Sequence, residues 1–341
     1  MVTKTAYSLR EIADILCAST DDVSRIVDSD ERLKKERPTE SKGYLETEQL
    51  DRFFKSYVEV NKIKPISFEI PDLLREMDTK WAETIIDMYE EPFSYGSVTP
   101  NQGEIIRNLV LEFKPKAIVE IGCFIGVSSL WMASALDELG EDSILHSVDL
   151  FNPIFPQAPK CWGYLRDPLE FATRSARSAE LDKKIRFHKM NSNVMGKEYD
   201  DHIDRKADLL YIDGDHHIGG CIADFVLFYP HVNVGGHIVL HDIYPEHCGW
   251  KGPRFLIDRF LRDSDSFEIE EIPTVPNYGL AVVKKVRHDK RFAPGGSLAL
   301  NMHRFVHHVM QTSTRLANWE RLKYTKFGKV LKKSLPFWPF N

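Results

Sequence analysis

The sequence predicts an α/β protein built on one doubly wound sheet, and three observations carry that prediction. The stretch 117–133, AIVEIGCFIGVSSLWMA, reads as a buried β-branched strand, a turn bearing Gly122 and Gly126, and a helix. Apolar runs of strand length then alternate with helical patterns as far as residue 285. The parallel runs also end in polar groups: Glu120, Asp149, Asn191, Asp213 and the pair His241-Asp242. One polar strand end would mean little, because turns favour Asp and Asn. A series of them on the carboxyl edge of one sheet, where such folds bind ligands, defines a candidate site.

The elements follow in order. Residues 1–58 read as a small helical domain. Ser8-Leu9-Arg10-Glu11 is a capping box leading into Ile12, Ala13, Ile15 and Leu16. Ser19 can cap a second helix bearing Val23, Ile26 and Val27. A charged loop comes next, then Gly43-Tyr44-Leu45 and a third helix from Thr47 through Leu50, Phe53 and Phe54. Residues 59–100 place Pro65, Pro71, Pro92 and Pro100 around one helical pattern at 73–89, which suits a connector or lid. Residues 101–113 form an amphipathic helix that enters the central strand through Pro115. Further strands are predicted at 144–150, 185–190, 208–212 and 236–240, with helices at 127–136, 168–181, 217–229 and 252–262. A long loop spans 152–167, with Trp162 and Tyr164 in it. Runs 267–272 and 279–284 close the sheet as an antiparallel pair, so that 101–287 is the main domain and 288–341 a tail.

Asp149 lies 23 residues after Gly126, about where such a fold offers a carboxylate to ribose hydroxyls, whether of NAD or of S-adenosylmethionine. Three features favour the second. The turn is E-I-G-x-x-x-G and lacks the first half of G-x-G-x-x-G; an acid precedes it; and the sheet ends in a hairpin with no second nucleotide half.

The pieces TPNQGEIIRNL, VEIGCFIGVSSL, SVDL, YIDGDHH and GGHIVLHD, spread over 99–285, resemble the Rossmann-like class I S-adenosylmethionine-dependent methyltransferases. More narrowly they are similar to small-molecule O-methyltransferases, a group that includes macrolide-sugar enzymes and cephalosporin-hydroxylase-like proteins. The resemblance implies that Glu120, Gly122 and Gly126, with Cys123 and Ser128 in the same turn, hold the amino-acid end of the cofactor. It also implies Asp149 on the ribose, Asn191 or Ser192 near the adenine, and Asp213 at the cofactor's edge. Metal-dependent members hold a divalent ion on residues that correspond to Asp213, His241 and Asp242. His241 stands where they have a carboxylate, a departure that bears on magnesium, since a hard ion prefers oxygen. His216 falls three residues beyond Asp213, where the sugar enzymes place their base, so His216 and Asp213 are the implied catalytic pair. The implied acceptor is a hydroxyl of a small molecule, a sugar or a glycosylated metabolite.

Residues 1–58 loosely resemble the helix-turn-helix of MerR and excisionase proteins. Their second helix carries Asp21, Asp22 and Asp28 against a single Arg25, a poor surface for phosphates, so DNA is not the expected partner. A docking or dimerisation module, and hence a homo-oligomer, suits that charge better. Two other readings stay open on the sequence: a nicotinamide-dependent oxidoreductase, and a DNA-binding regulator whose sheet senses a ligand.

Composition sets the remaining bounds. With 43% hydrophobic and 28% charged residues, the chain has the make-up of a globular protein. No apolar run nears the ~18 residues of a transmembrane helix, and the first residues lack the pattern of a signal peptide. The cytoplasm is therefore the expected compartment. The five cysteines (Cys17, Cys123, Cys161, Cys221 and Cys248) form no C-x-x-C pair and read as thiols. From Lys284 onward 13 basic residues face 2 acidic ones, while the rest of the chain carries 32 basic against 49 acidic. A basic tail that ends in LPFWPF suits an anionic membrane surface, each Lys or Arg there being worth about 1 kcal/mol. Full-length protein is expected to sediment with anionic liposomes in a salt-sensitive way, and protein truncated before residue 297 is not. Equal sedimentation of the two forms would remove the tail from membrane binding.

Overall fold

The structure, a computed structural model, describes residues 6–16, 18–36, 44–61, 68–140, 142–156 and 163–292. The tail expected over 288–341 therefore lies, beyond residue 292, outside the described residues, as do Gly43, Pro65 and Trp162. Among the described residues no helix is long and apolar enough to cross a membrane. They divide into two compact units, one within Met1–Lys114, Cys123–Glu141 and Leu150–Lys189, the other within Pro115–Gly122, Asp142–Asp149 and Met190–Asn341.

The first unit opens with β1 (Ala6–Ser8) and α1 (Leu9–Leu16). Their junction is the expected capping box: Ser8 Oγ accepts from the Glu11 N–H at 3.2 Å, and the Glu11 carboxylate accepts from the Ser8 N–H at 2.9 Å. Ser19 caps α2 (Thr20–Ser29) through the Asp22 N–H. The charged segment expected as a loop is instead α3 (Glu31–Glu36). Asp30 nucleates it by accepting from the N–H groups of Arg32 and Leu33, and Leu33 is fully buried. A second strand, β2 (Tyr44–Glu46), pairs antiparallel with β1 and leads into α4 (Thr47–Val60). Neither short strand has enough residues to show a period-2 pattern.

Ile12, Val23, Ile26, Leu50, Phe53 and Phe54 form the core of this module. Two rings from the long loop complete it. Phe54 meets Phe155 at 6.0 Å and Tyr164 at 5.2 Å, and an isolated bridge between Ile154 and Leu165 holds the loop's two arms together.

The helical pattern at 73–89 is two helices, α5 (Asp72–Glu76) and α6 (Lys80–Glu90), because Thr79 caps the second through the Ala82 N–H. Thr99 and Gln102 form a capping box on α7 (Pro100–Phe113). That helix lies close against α8 (Val127–Leu139): a Cβ on Gly103 would fall 2.1 Å from Trp131 Nε1, which donates to the Tyr89 hydroxyl at 3.0 Å. Asp167 caps α9 (Pro168–Ser178).

Among the described residues the sheet has seven strands. These are β3 (Ala117–Ile121), β4 (Ile144–Asp149), β5 (Ile185–Lys189), β6 (Ala207–Ile212), β7 (Val232–His241), β8 (Phe267–Ile272) and β9 (Leu280–Lys285), in the order β5-β4-β3-β6-β7-β9-β8. β3 pairs parallel with β4 and β6, and β6 with β7, whereas β9 runs antiparallel to both β7 and β8. The arrangement is the expected doubly wound sheet with an antiparallel end. β7 starts four residues earlier than its apolar run, because Gly235-Gly236 interrupts the hydrophobic signal.

Within the second unit, α10 (Ser192–Lys197) and α11 (Tyr199–His202) are too short to announce themselves by period. α12 (Ile218–Phe228), α13 (Pro245–Cys248) and α14 (Gly252–Leu256) are its other α-helices. Its core gathers Phe225, Tyr229, Phe267 and Phe292 around strands rich in Val, Leu and Ile. Lys285 is buried among them, with Nζ donating to the carbonyls of Tyr229 (2.8 Å) and Val232 (2.7 Å) where α12 hands over to β7.

Asp30 gives this architecture a pH signature. Burial works against its charge, but the Leu33 N–H, the Ser56 hydroxyl and Arg52 hold its pKa down at about 2. A folded-state pKa below the unfolded value adds stability above pH ~4, and that stability is lost as pH falls through about 2. Asp30→Asn is expected to melt earlier than wild type at pH 7 and to lose less on acidification from pH 4 to 2. Melting curves by circular dichroism whose pH dependences ran parallel would contradict this role.

Candidate active site

Three strand ends in the second unit are tied together at the backbone. The Gly122 N–H donates to the Val148 carbonyl at 3.0 Å, and the Asp213 N–H donates to the Ile121 carbonyl at 2.8 Å. Gly122 has φ +90°, and a Cβ there would lie 2.3 Å from the Asp213 carbonyl oxygen. Only glycine allows β3 to end this close to β6. Glu120, one residue inside, is fully buried, and its carboxylate accepts from the Ser147 hydroxyl at 2.5 Å. Asp149 ends β4 half-buried, and its carbonyl accepts from the Met190 N–H at 2.9 Å. Asn191 caps α10 by accepting from the Asn193 N–H at 2.9 Å, with Ser192 next to it.

The rest of the glycine turn belongs to the first unit. Gly126 opens α8 at φ +94°, with Ala172 Cβ 3.2 Å from where its own Cβ would stand. Cys123 and Ser128 are both buried, and Cys123 Sγ lies 3.4 Å from Ser129 Oγ.

At the ends of β6 and β7 four side chains converge. His216 Nε2 is 3.1 Å from Asp213 Oδ1 and 3.7 Å from Asp242 Oδ2. His241 Nδ1 is 3.0 Å from Asp213 Oδ1 and 3.1 Å from Asp242 Oδ1. The lengths are those of hydrogen bonds, but the directions are not. His216 Nε2, both ring nitrogens of His241 and Asp242 Oδ1 are buried with no aligned hydrogen-bond partner. Asp242 is also held at φ +59°, a backbone region that costs a non-glycine residue about 1 kcal/mol or more.

The electrostatics match this crowding. Burial alone would raise the pKa of Asp213, but His241 and His216 outweigh it and hold it well below the usual carboxylate range. Burial alone would lower His241, yet the Asp213 and Asp242 carboxylates push it up to about 10. His216 is shifted upward for the same reason. Two carboxylates in one enclosed spot demand positive charge between them.

The structure thus brings together Asp213, His216, His241 and Asp242, with the backbone of Gly122 against Asp213. Other histidines lie elsewhere. His217 is exposed and bonded to Asp215 at 2.7 Å, and His231 stacks on Tyr199.

Asp224 had no sequence motif to mark it. This acid is buried on α12, and Gly214 passes so close that a Cβ there would sit 3.1 Å from Asp224 Oδ2. Burial raises its pKa to about 7 against the pull of hydrogen bonds from Ser192 and the Asp215 backbone. It links the start of α10 to the turn that carries His216. A lone acid in the apolar run IGGCIADFVLF was the available signal.

Residues 119–243 match a family model described as a methyltransferase domain. The chain therefore carries an enzyme domain of the methyltransferase class. No curated protein sequence matches it. Solved structures similar to it include the O-methyltransferase from Bacillus cereus in complex with SAH, with 16% identity, 69% of this chain and 96% of that chain covered, and a TM-score of 0.48. Another is the O-methyltransferase TomG from Streptomyces achromogenes, involved in tomaymycin synthesis and in complex with SAM, with 18% identity, coverage of 70% and 96%, and a TM-score of 0.46.

The glycine contact is open to test. Gly122→Ala forces a methyl group into the Asp213 backbone at a positive φ, for an expected cost of about 2–4 kcal/mol. Gly126→Ala, whose nearest neighbour is a movable methyl group, is expected to cost less. Equal losses in urea unfolding would show that the strand ends tolerate separation.

Proposed function

We propose that the chain transfers a methyl group from S-adenosylmethionine to a hydroxyl of a small molecule, a sugar or sugar-bearing metabolite. The observation that supports this most is the enclosed Asp213–His216–His241–Asp242 cluster, set on the strand edge beside the Gly122 turn. The residues suit the methyl donor. Asp149 at the end of β4 is the carboxylate for ribose hydroxyls, Asn191 and Ser192 flank the adenine, and the backbone at Gly122 takes the amino-acid end.

Once bound, S-adenosylmethionine supplies a methyl group on a positive sulfonium. The acceptor oxygen forms the new C–O bond as the C–S bond breaks, and the hydroxyl proton must leave in the same event. A sugar hydroxyl is far too weak an acid to lose that proton unaided at neutral pH. The chain's contribution is to hold oxygen and methyl carbon in line and to draw the proton away at the cluster. His216 is its more outward ring, with 15% of the side chain exposed against 8% for His241.

S-adenosylhomocysteine is expected to bind in calorimetry and NAD is not. Asp149→Ala should weaken that binding at least tenfold, the loss of one charge-assisted bond of roughly 1.5–3 kcal/mol. His216→Ala should lose about 10²–10⁴-fold in transfer of labelled methyl to glycoside acceptors, with S-adenosylhomocysteine affinity kept. Binding of NAD alone, or full turnover by His216→Ala, would overturn the proposal.

A further inference from the structure

We propose that Asp213, His216, His241 and Asp242 form a binding site for a divalent transition-metal ion with two imidazole donors, rather than a magnesium site. The inference rests on the same cluster as the proposed function but not on its chemistry.

The first support is geometric. Ligand atoms about 2.1 Å from one centre in a tetrahedral array stand roughly 3.4 Å from one another. Asp213 Oδ1 stands 3.1 Å from His216 Nε2 and 3.0 Å from His241 Nδ1, close to that spacing, and Asp242 adds an oxygen 3.1 Å from His241 Nδ1. Asp213, His216 and His241 together meet the spacing of a metal-holding group.

The second support is the set of unaligned atoms. Buried polar groups almost always find a partner, and a buried His–Asp network would point each ring nitrogen along a hydrogen bond. Three of the four side chains instead leave a facing atom without one: His216 Nε2, His241 Nδ1 and Asp242 Oδ1. Ligand atoms this close together that do not hydrogen-bond one another are arranged for something they share. The backbone at Asp242, φ +59°, holds its carboxylate in that arrangement despite the cost.

The kind of ion follows from the donors. Two carboxylates and two neutral imidazoles carry a charge of −2, which a divalent ion balances. Magnesium calls for six oxygens in near-octahedral geometry and keeps several waters. Imidazole nitrogens suit zinc, copper, iron and nickel, whereas magnesium is suited by carboxylate, carbonyl and water oxygens. His241 replaces one oxygen and His216 adds a second nitrogen. An ion there would make His216 a ligand, and the turnover lost by His216→Ala would then report the missing ligand and not a missing free base.

The test uses the full chain, stripped with a chelator and checked by elemental analysis. Cobalt(II) and magnesium are titrated separately, with equilibrium dialysis for stoichiometry and visible absorption for cobalt geometry. One cobalt per chain, the absorption of a low-coordinate site and at least a hundredfold preference over magnesium are expected. His216→Ala and His241→Ala, once circular dichroism shows them folded, should each weaken cobalt binding by at least about tenfold. X-ray absorption on the wild-type cobalt protein should show imidazole scattering, a readout that needs no variant. Magnesium binding as tight as cobalt, no stoichiometric cobalt, or a cobalt spectrum without imidazole would overturn the inference. Cobalt bound by a chain that transfers no methyl group would count against the proposed function alone. Methyl transfer by stripped protein that takes up no cobalt would count against this inference alone.

Discussion

The contact on which the rest depends is the meeting of β3 and β6 at Gly122 and Asp213. The carbonyl of Asp213 lies where a side chain on residue 122 would have to begin, and the Asp213 N–H is spent on the Ile121 carbonyl. Asp213 therefore has no freedom at its backbone. Its carboxylate must project from the strand edge at the point where His216 and His241 reach it at 3.1 and 3.0 Å. Loosening the glycine contact would move the cluster with it. Fold stability and site geometry are thus one constraint seen from two sides.

The second theme is charge under enclosure. Glu120, Asp213, Asp224 and Asp242 sit in or beside one sheet edge with little access to water. Each would be costly alone. Glu120 is met by Ser147, Asp224 by Ser192 and the Asp215 backbone, and Asp213 by both imidazoles. Asp224 matters to the site although it is not among the converging atoms. It ties the first residues of α10 to the turn that presents His216.

Much of this was legible in the sequence. The period of the apolar runs gave the strands, and the polar residues at their ends marked the edge, because parallel strands place those ends together whatever the loops do. The capping box at Ser8 and the cap at Ser19 announced their helices through local chemistry that tertiary packing did not override. What escaped were features that need a third dimension or more residues than the element has. The β1–β2 pair joins segments almost forty residues apart in the chain, with only three residues in each strand. α3 depends on Asp30, which is held from α4 by Arg52 and Ser56. The split between α5 and α6 turns on a single hydroxyl at Thr79. Likewise, the family resemblance implied Asp213 and His216 as a pair, but that both rings and both carboxylates crowd one point is a property of two strands and a turn in register.

The β3–β6 contact sets the Gly122 turn and the enclosed cluster on one edge of the sheet. A crystal structure of the full chain soaked with S-adenosylhomocysteine tests it most directly. The ribose hydroxyls are expected on Asp149 and the sulfur turned toward Asp213 and His216. A ligand seated away from the ends of β3 and β4, or one whose sulfur faces away from the cluster, would contradict it.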